Sequence, residues 1–352
     1  MAAAPPAPGT RTVLRHVLTH LLTPLLMCLG MALAYQGAFH QPTPHHLPVA
    51  VVGTTPQARA LADGIAAEAG PALEVSVLPD RAAAEQRLMD RDLVGAFLPD
   101  RDRPQLLVAT GNSDTSAMAA EKVFQTVTHA QGVPLTLTEL TPMAAGDPTN
   151  QGIFFLMVAL SIGSYGSVAV IGAAGAALSM RLRALVGLGT SLAVSLIGAV
   201  TAGPVFHVVD HDLAAVWAIG WLYSAGVVAI GAGLHTFLKR WTTLALMVLF
   251  VMLNFTSSGG IYRPELLNGF FATLHSFWTG AGFVEGVRSL LYFDGGAGFT
   301  GHLLTLAAWF ALGLLVLLAA HLRERHLRER HLAARARRPD PAEEEMAEAV
   351  AV

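Results

Sequence analysis

Few ionisable residues of this sequence lie in or beside its long apolar segments, and these are the first candidates for chemistry. A charge at membrane depth is costly, so charged residues found there usually face a partner or a cavity. Glu285 and Arg288 are three residues apart, so one helical face can pair them. Two interpretations stay open: the pair belongs to a pathway, or it anchors its segment in the outer headgroup layer. The remaining ionisable residues of this kind are Glu265, Arg263 and His235.

A second group of chemistry-bearing residues lies in a short polar segment between two apolar runs. Asp210, His211 and Asp212 follow closely on His207, and all four side chains are of metal-ligating type. A tight turn between two apolar helices needs polar residues of this kind as well. We expect a turn, with a metal site or a membrane enzyme as alternatives. We assign no metal ligand, no cofactor-binding residue and no catalytic residue, and we expect the protein not to be an enzyme.

The sequence contains no motif for ATP hydrolysis. A P-loop needs G-x-x-x-x-G-K-[ST], so that backbone amides and the lysine hold the phosphates. The only lysines are Lys122, which precedes Val123, and Lys239, which precedes Arg240. The single cysteine, Cys28, lies in an apolar run and allows no internal disulfide. If the protein uses ATP, a separate chain must carry out the hydrolysis.

The composition is that of a membrane protein: 53% of residues are hydrophobic and 13% are charged, against about 25% charged in soluble domains. The first apolar run, Val17–Phe39, exceeds the apolar core of a cleaved signal peptide and can cross about 30 Å of hydrocarbon. We expect a retained transmembrane helix kinked at Pro24, with a signal peptide as the alternative. Five more apolar runs follow: Gly152–Met180, Leu185–Val208, Leu213–Phe237, Trp241–Ser257 and His302–Leu322.

Residues 40–150 separate the first apolar run from the others and alternate between strand and helix patterns. This alternation predicts a small α/β domain. Gly111–Asp114 fits either a binding loop or a turn that caps a helix, and we favour the cap. Strands are predicted at 49–53, 73–78, 93–98, 105–110 and 135–140, and helices at 56–69, 80–89 and 112–130.

The basic residues predict an orientation, because short cytoplasmic loops are rich in Arg and Lys. With six spans, all these residues lie on one side. Both termini are then cytoplasmic and residues 40–150 extracytoplasmic, in a multi-pass protein of the cell membrane. The basic residues are Arg11, Arg15, Arg181, Arg183, Lys239, Arg240, Arg323, Arg325, Arg328 and Arg330. The predicted divisions are a cytoplasmic segment 1–16, helix 17–39, α/β domain 40–150, five-helix domain 151–322 and charged tail 323–352.

The predicted fold is thus an α-helical membrane protein with six transmembrane helices, arranged one plus five around the inserted α/β domain. The stretch Thr256–Tyr292, between helices 5 and 6, is neither a plain loop nor a plain span. It carries aromatic residues, glycines and the Glu285–Arg288 pair. We expect a hairpin of short amphipathic helices at the outer face.

This stretch contains Ser257-Ser-Gly-Gly260, Pro264-Glu-Leu-Leu267, Gly286-Val-Arg288 and Tyr292. With these motifs, and with one helix, an α/β domain and five helices in order, the chain resembles the ABC-2 type transporter permeases. The resemblance is to their YhgE/Pip (phage infection protein-like) branch. The sequence departs from that branch in its short α/β domain and by having Asn268 and Thr279 where prolines are usual.

The resemblance implies a permease subunit that exports a hydrophobic or amphiphilic substrate. It also implies a homodimer or heterodimer driven by a separate cytosolic ABC ATPase subunit, which would dock near Arg181 and Arg183. The positions implied for the outer hairpin or pathway are Gly259, Gly260, Pro264, Glu265, Glu285, Arg288 and Tyr292.

Two other expectations concern partners. We expect membrane lipid as a partner. We expect no binding of nucleic acid, because acidic residues neutralise the arginine-rich tail. The alternative function is a non-transporting membrane protein whose extracytoplasmic domain binds a ligand, a phage or a partner protein.

Overall fold

The computed structural model describes residues 9–175 and 177–336, and helices dominate them. The predictions made for residues 1–8 and for the tail beyond residue 336 lie outside this part of the chain. Five helical stretches are long and apolar enough to cross a membrane, which is the pattern of a helical membrane protein. These stretches are Thr10–Phe39, Gly152–Ala174, Met180–Val205, Leu213–Ser257 and Phe299–Ala333.

The chain begins with helix α1 (Thr10–Phe39), which contains Pro24, and then enters the α/β domain. The strands of that domain are β1 (Leu47–Val52), β2 (Leu73–Leu78), β3 (Gly95–Leu98), β4 (Gln105–Val108) and β5 (Thr136–Glu139). Its helices are α2 (Pro56–Ala69), α3 (Arg81–Met89) and α4 (Asp114–Ala130). The predicted alternation of strands and helices is confirmed.

The five strands form one mixed sheet in the order β2-β1-β3-β4-β5. β1 pairs in parallel with β2 and β3, β3 pairs antiparallel with β4, and β4 pairs in parallel with β5. Successive side chains of a strand point to opposite faces. Val49 and Val51 accordingly pack towards α2 and α4, whereas Ala50 and Val52 pack towards α3. Both faces of the sheet are therefore covered.

Within the described residues, eight α-helices follow the α/β domain. The longer ones are α5 (Gly152–Ala174), α6 (Met180–Val200), α7 (Leu213–Leu238) and α12 (Phe299–Ala336). The shorter ones are α8 (Thr242–Met247), α9 (Leu253–Ser257), α10 (Gly269–His275) and α11 (Thr279–Tyr292). α6 begins five residues earlier than the predicted Leu185 because Ser179 caps it, accepting a hydrogen bond from the Leu182 amide.

The 45-residue stretch Leu213–Ser257 is two antiparallel segments. The chain reverses at Lys239, which has a left-handed backbone (φ 48°). About fifteen residues to either side of Lys239, the side-chain amide of Asn254 donates to the Tyr223 hydroxyl at 2.8 Å. α7 and the α8–α9 segment therefore lie side by side, as the two separate predicted runs require.

The basic junctions gather at one end of the bundle. Arg183 of α6 pairs with Glu324 of α12, and the Arg323 guanidinium lies 4.9 Å from the centroid of the Phe237 ring, near the end of α7. At the other end, Asn150 lies just before α5. Its side-chain amide donates to the Thr110 carbonyl of the α/β domain at 2.7 Å. The α/β domain thus lies at the end opposite the arginine-rich junctions.

Helices α10 and α11 occupy the end of the bundle that carries the α/β domain. α10 is exposed on one side, where Phe270 is 60% exposed, and Asn268 caps it by accepting from the Phe271 amide. α11 differs from the predicted amphipathic helix, because all residues from Thr279 to Ser289 are buried. Neighbouring helices and the α/β domain enclose α11.

Candidate functional site

A buried cluster of charges joins the α/β domain to α11, and Glu285 is its centre. The Glu285 side chain is only 2% exposed. Its Oε2 atom accepts from Arg91 and, at 3.0 Å, from Nη1 of Arg263. Its Oε1 atom accepts from Nη1 of Arg288 at 3.3 Å. Three guanidinium groups from distant parts of the chain thus meet on one carboxylate.

Arg91 comes from the α/β domain, from the turn after α3. Its backbone is left-handed (φ 63°), a conformation that costs a non-glycine residue about 1–2 kcal/mol. This places the side chain towards α11, where Nη1 donates to the Ser289 hydroxyl at 2.8 Å. Nε donates to Oδ1 of Asn112 at 2.8 Å. A glycine would adopt this backbone conformation at a lower cost. The contacts of the Arg91 side chain therefore explain why an arginine is found in this turn.

Arg263 comes from the segment between α9 and α10. Its Nη1 donates to Oδ1 of Asn112 at 2.7 Å, and its Nε donates to Oε1 of Glu265 at 3.2 Å. The same Glu265 oxygen accepts from the hydroxyl of Ser116, at the start of α4, at 3.0 Å. Asn112 therefore accepts from two arginines, and α4 is tied to the hairpin segment at a second point.

Arg288 shows why two glycines precede the hairpin. Its guanidinium donates to the carbonyls of Gly259 at 2.7 Å and Gly260 at 3.3 Å. Gly259 has φ 78°, and a Cβ atom there would lie 2.5 Å from Oε1 of Glu285. A Cβ atom on Gly260 would lie 2.3 Å from the Phe154 ring. Both positions need glycine for the close approach of the backbone.

The charges of the cluster do not cancel. Burial alone would raise the pKa of Glu285, but Arg263, Arg91 and Arg288 together hold it well below its usual range. Burial lowers the pKa of Arg91 to about 10, so it remains charged at neutral pH. Burial also lowers the pKa of His275, which therefore stays neutral. With Glu265, three cations face two anions.

This geometry suits an ion-pair joint better than proton transfer. Both oxygens of Glu285 accept from guanidinium groups, and a carboxylate with so low a pKa is a poor acid or base at neutral pH. A buried charge that loses its partners is strongly destabilising. The cluster therefore fixes the α/β domain, the glycine turn and α11 relative to one another.

The other predicted hairpin positions lie around this cluster. Pro264 opens a short turn before Leu267. The ring of Tyr292 packs on Gly111, where a Cβ atom would be only 2.7 Å away. Ser113 caps α4 by accepting from the Ser116 amide, so the favoured interpretation of Gly111–Asp114 as a cap is confirmed.

The two arginines predicted to dock an ATPase differ in the structure. Arg181 is exposed at the start of α6. Arg183 is 7% exposed, pairs with Glu324 and donates to the Leu178 carbonyl at 3.2 Å. Arg183 therefore joins α6 to α12, and of the two only Arg181 has an exposed side chain. His235 packs against Gly172 at this end of the bundle.

The polar segment between α6 and α7 forms a turn. His211 contacts Oδ1 of Asp210 at 2.5 Å and the Leu291 carbonyl at 2.9 Å. Asp212 has a left-handed backbone (φ 49°) immediately before α7. Within residues 9–175 and 177–336, no three His, Cys, Asp or Glu side chains are grouped to hold a metal ion.

The sequence predicts the Glu285–Arg288 pair and singles out Arg263 and Glu265, but it does not predict Arg91, and it places Asn112 only in a turn. Arg91 follows the end of a predicted helix, where glycine is the common residue. A charged side chain at a position where glycine is common was the signal in the sequence that Arg91 makes contacts outside its own turn.

Comparison of the chain with protein-family models, with curated proteins and with solved structures gives no match. The site must therefore be interpreted from its own geometry.

Proposed function

We propose that the chain is the permease subunit of an ABC-2 type exporter that moves a hydrophobic or amphiphilic substrate outward with a separate ATPase subunit. The observation that carries this proposal is the buried joint at Glu285. It ties an inserted α/β domain, through Arg91, to the segment before the last apolar helix. Movement of the membrane helices can pass directly into that domain through such a joint.

The proposed topology has six spans with both termini in the cytoplasm. The basic junctions lie at one end of the bundle and the α/β domain lies at the other, which supports an extracytoplasmic domain under the positive-inside rule. The antiparallel arrangement of α7 and the α8–α9 segment supports the count of six. In this topology α10 and α11 lie at the outer face.

The proposed site for the ATPase is the turn between α5 and α6. Arg181 is exposed there, and the Arg183–Glu324 pair braces the turn against α12. We propose a homodimer or heterodimer of permease subunits as the assembly that the ATPase drives.

Co-purification from native membranes, combined with transport in inverted vesicles, tests this function. We expect an ABC ATPase to co-purify with the wild-type chain and Arg181→Glu to reduce the amount at least fivefold. Arg330→Glu is the control, because it is exposed near the same end of the bundle and lies outside the α5–α6 turn. Without a co-purifying ATPase and without ATP-dependent transport, the exporter proposal fails, and a ligand-binding role of the α/β domain replaces it.

A further inference from the structure

An apolar groove of about 470 Å³ opens on the surface of the bundle between α6, α7 and α12. Its volume is in the range of ordinary ligand sites, about 300–1,000 Å³. Arg181 is its one charged lining residue, and it lies towards the arginine-rich end of the bundle. The apolar lining includes Ala184, Leu185, Leu188, Ala229, Phe310 and Leu314.

A smaller pocket of about 170 Å³, lined largely by ionisable side chains, lies on the same seam between α6 and α12. The α12 residues of the groove end at Leu317, and those of the pocket begin at His321, one turn later. On α6, the pocket is lined by Ser179 and Met180, directly before Arg181. The groove and the pocket are therefore neighbours along one seam, and we call the two together the slot, with the groove as its apolar end and the pocket as its polar end.

Arginines outnumber carboxylates around the polar end of the slot. Arg325 and Arg328 line it, Arg183 pairs with Glu324 there, and Arg181 lines the groove directly after Met180 of the pocket. The acidic lining residues are already engaged, since Glu324 pairs with Arg183 and Glu329 pairs with Arg325 at 3.0 Å. Among the described residues, no carboxylate is within 4.0 Å of Arg181 or Arg328.

We propose that this slot binds one anionic phospholipid of the leaflet at the arginine-rich end of the bundle. An acyl chain occupies the apolar groove, and the phosphate lies against Arg181 and Arg328. Basic pockets between transmembrane helices on the cytoplasmic side suit anionic headgroups. A second copy of this chain is the competing occupant, and the arginines around the polar end favour an anionic lipid headgroup over it. This site requires a membrane around the chain but neither an ATPase nor transport. Arg181 also belongs to the turn proposed to dock the ATPase, so its lipid contact is tested on the purified chain without an ATPase.

Lipid retention by the purified full-length chain tests the headgroup contact. The protein in neutral detergent is titrated with dioleoyl phosphatidylglycerol or dioleoyl phosphatidylcholine, and bound lipid is counted by native mass spectrometry. We expect one tightly held lipid with about tenfold preference for phosphatidylglycerol. The double change Arg181→Gln with Arg328→Gln removes the preference, whereas Arg330→Gln, outside the slot on the same helix, leaves it unchanged.

A second variant tests the acyl-chain contact. Ala184→Phe fills the groove without changing any charge, so it lowers retention of both lipids at least fivefold. Leu196→Phe is the matched control, since Leu196 is exposed on the same helix and lies outside the groove. Equal retention of the two lipids by the wild type, or unchanged retention in Ala184→Phe, overturns the proposal.

The single cysteine permits a direct test of the competing occupant, a second copy of this chain. In a Cys28→Ser background, Ala184→Cys is placed in the groove and oxidised in native membranes. We expect no disulfide-linked dimer on a denaturing, non-reducing gel. An efficient disulfide-linked dimer overturns the lipid site and identifies the groove as an interface between copies.

Discussion

At the scale of single residues, Glu285 determines whether the buried cluster holds together. Glu285→Gln keeps the shape of the side chain but leaves three guanidinium groups facing only Glu265. Removing one partner from a buried ion pair costs about 3–5 kcal/mol. We expect a loss of this size in the free energy of unfolding, measured by denaturant titration in detergent micelles.

The control for that measurement is Glu329→Gln, because the Glu329–Arg325 pair is 59% and 71% exposed. Exposed pairs of this kind contribute at most about 0.5 kcal/mol. If the two variants unfold alike, the cluster does not stabilise the fold.

The same carboxylate predicts how stability depends on pH. The folded-state pKa of Glu285 lies well below its usual value. The unfolded chain therefore binds the proton first on acidification, and the stabilisation, complete above about pH 5, is lost as the pH falls further. Thermal unfolding between pH 7 and pH 3.5 should show a steeper acid loss in the wild type than in Glu285→Gln. Parallel curves would contradict the assignment.

Only the local half of this site could be predicted from the sequence. Glu285 and Arg288 are three residues apart, so helical geometry alone pairs them. Arg91 and Glu285 are 194 residues apart, and no periodicity connects an arginine in a domain turn with a glutamate beside a membrane span. Asn112 was identified only as part of a turn, because its contacts with two arginines depend on the docking of the domain.

At the scale of elements, Arg91 is the tie between the α/β domain and α11. Arg91→Met keeps much of the side-chain bulk but removes the contacts with Glu285, Ser289 and Asn112. We expect backbone amides of α11 to exchange with deuterium at least tenfold faster while those in the core of the sheet keep their protection. The measurement is hydrogen–deuterium exchange followed by mass spectrometry.

The matched variant for that experiment is Arg81→Met. Arg81 lies at the start of α3 and is 45% exposed in its pair with Glu85. Its exchange pattern should match the wild type. Faster exchange of the whole domain in Arg91→Met would instead show that Arg91 acts on the fold of the domain itself.

Two glycine substitutions should act in opposite directions. Gly260→Ala forces a Cβ atom to 2.3 Å from the Phe154 ring, so the turn before the hairpin must shift, and we expect a loss of about 1–3 kcal/mol. Gly64→Ala, within α2, meets nothing within 4 Å and should stabilise by up to about 1 kcal/mol. Midpoints of thermal unfolding should move down and up respectively; a rise for Gly260→Ala would contradict the packing.

The α/β elements were the most predictable part of the fold. Thr55, Asp80 and Ser113 each cap a helix through a hydrogen bond to an amide three residues on, and such local signals are visible in sequence. The burial of α11 was not predictable, because its sequence pattern does not reveal that a separate domain covers the face opposite the bundle.

At the scale of the whole molecule, the orientation can be tested by cysteine labelling. In a Cys28→Ser background, Arg101→Cys in the α/β domain should react with a membrane-impermeant maleimide added to intact cells. Arg330→Cys should react only after the membrane is opened. Both residues are exposed, so access depends on the side of the membrane alone. The reverse pattern would place the α/β domain in the cytoplasm.

The long sequence separation within the cluster also has a consequence for synthesis. At about 5–20 residues per second, the ribosome needs roughly 10 to 40 s to proceed from Arg91 to Glu285. During that interval the nascent α/β domain presents Arg91 and Asn112 without the carboxylate that later joins them. Closure of the joint therefore reports that the segment before α12 has been delivered, so a late step of synthesis locks in place a domain that was made much earlier.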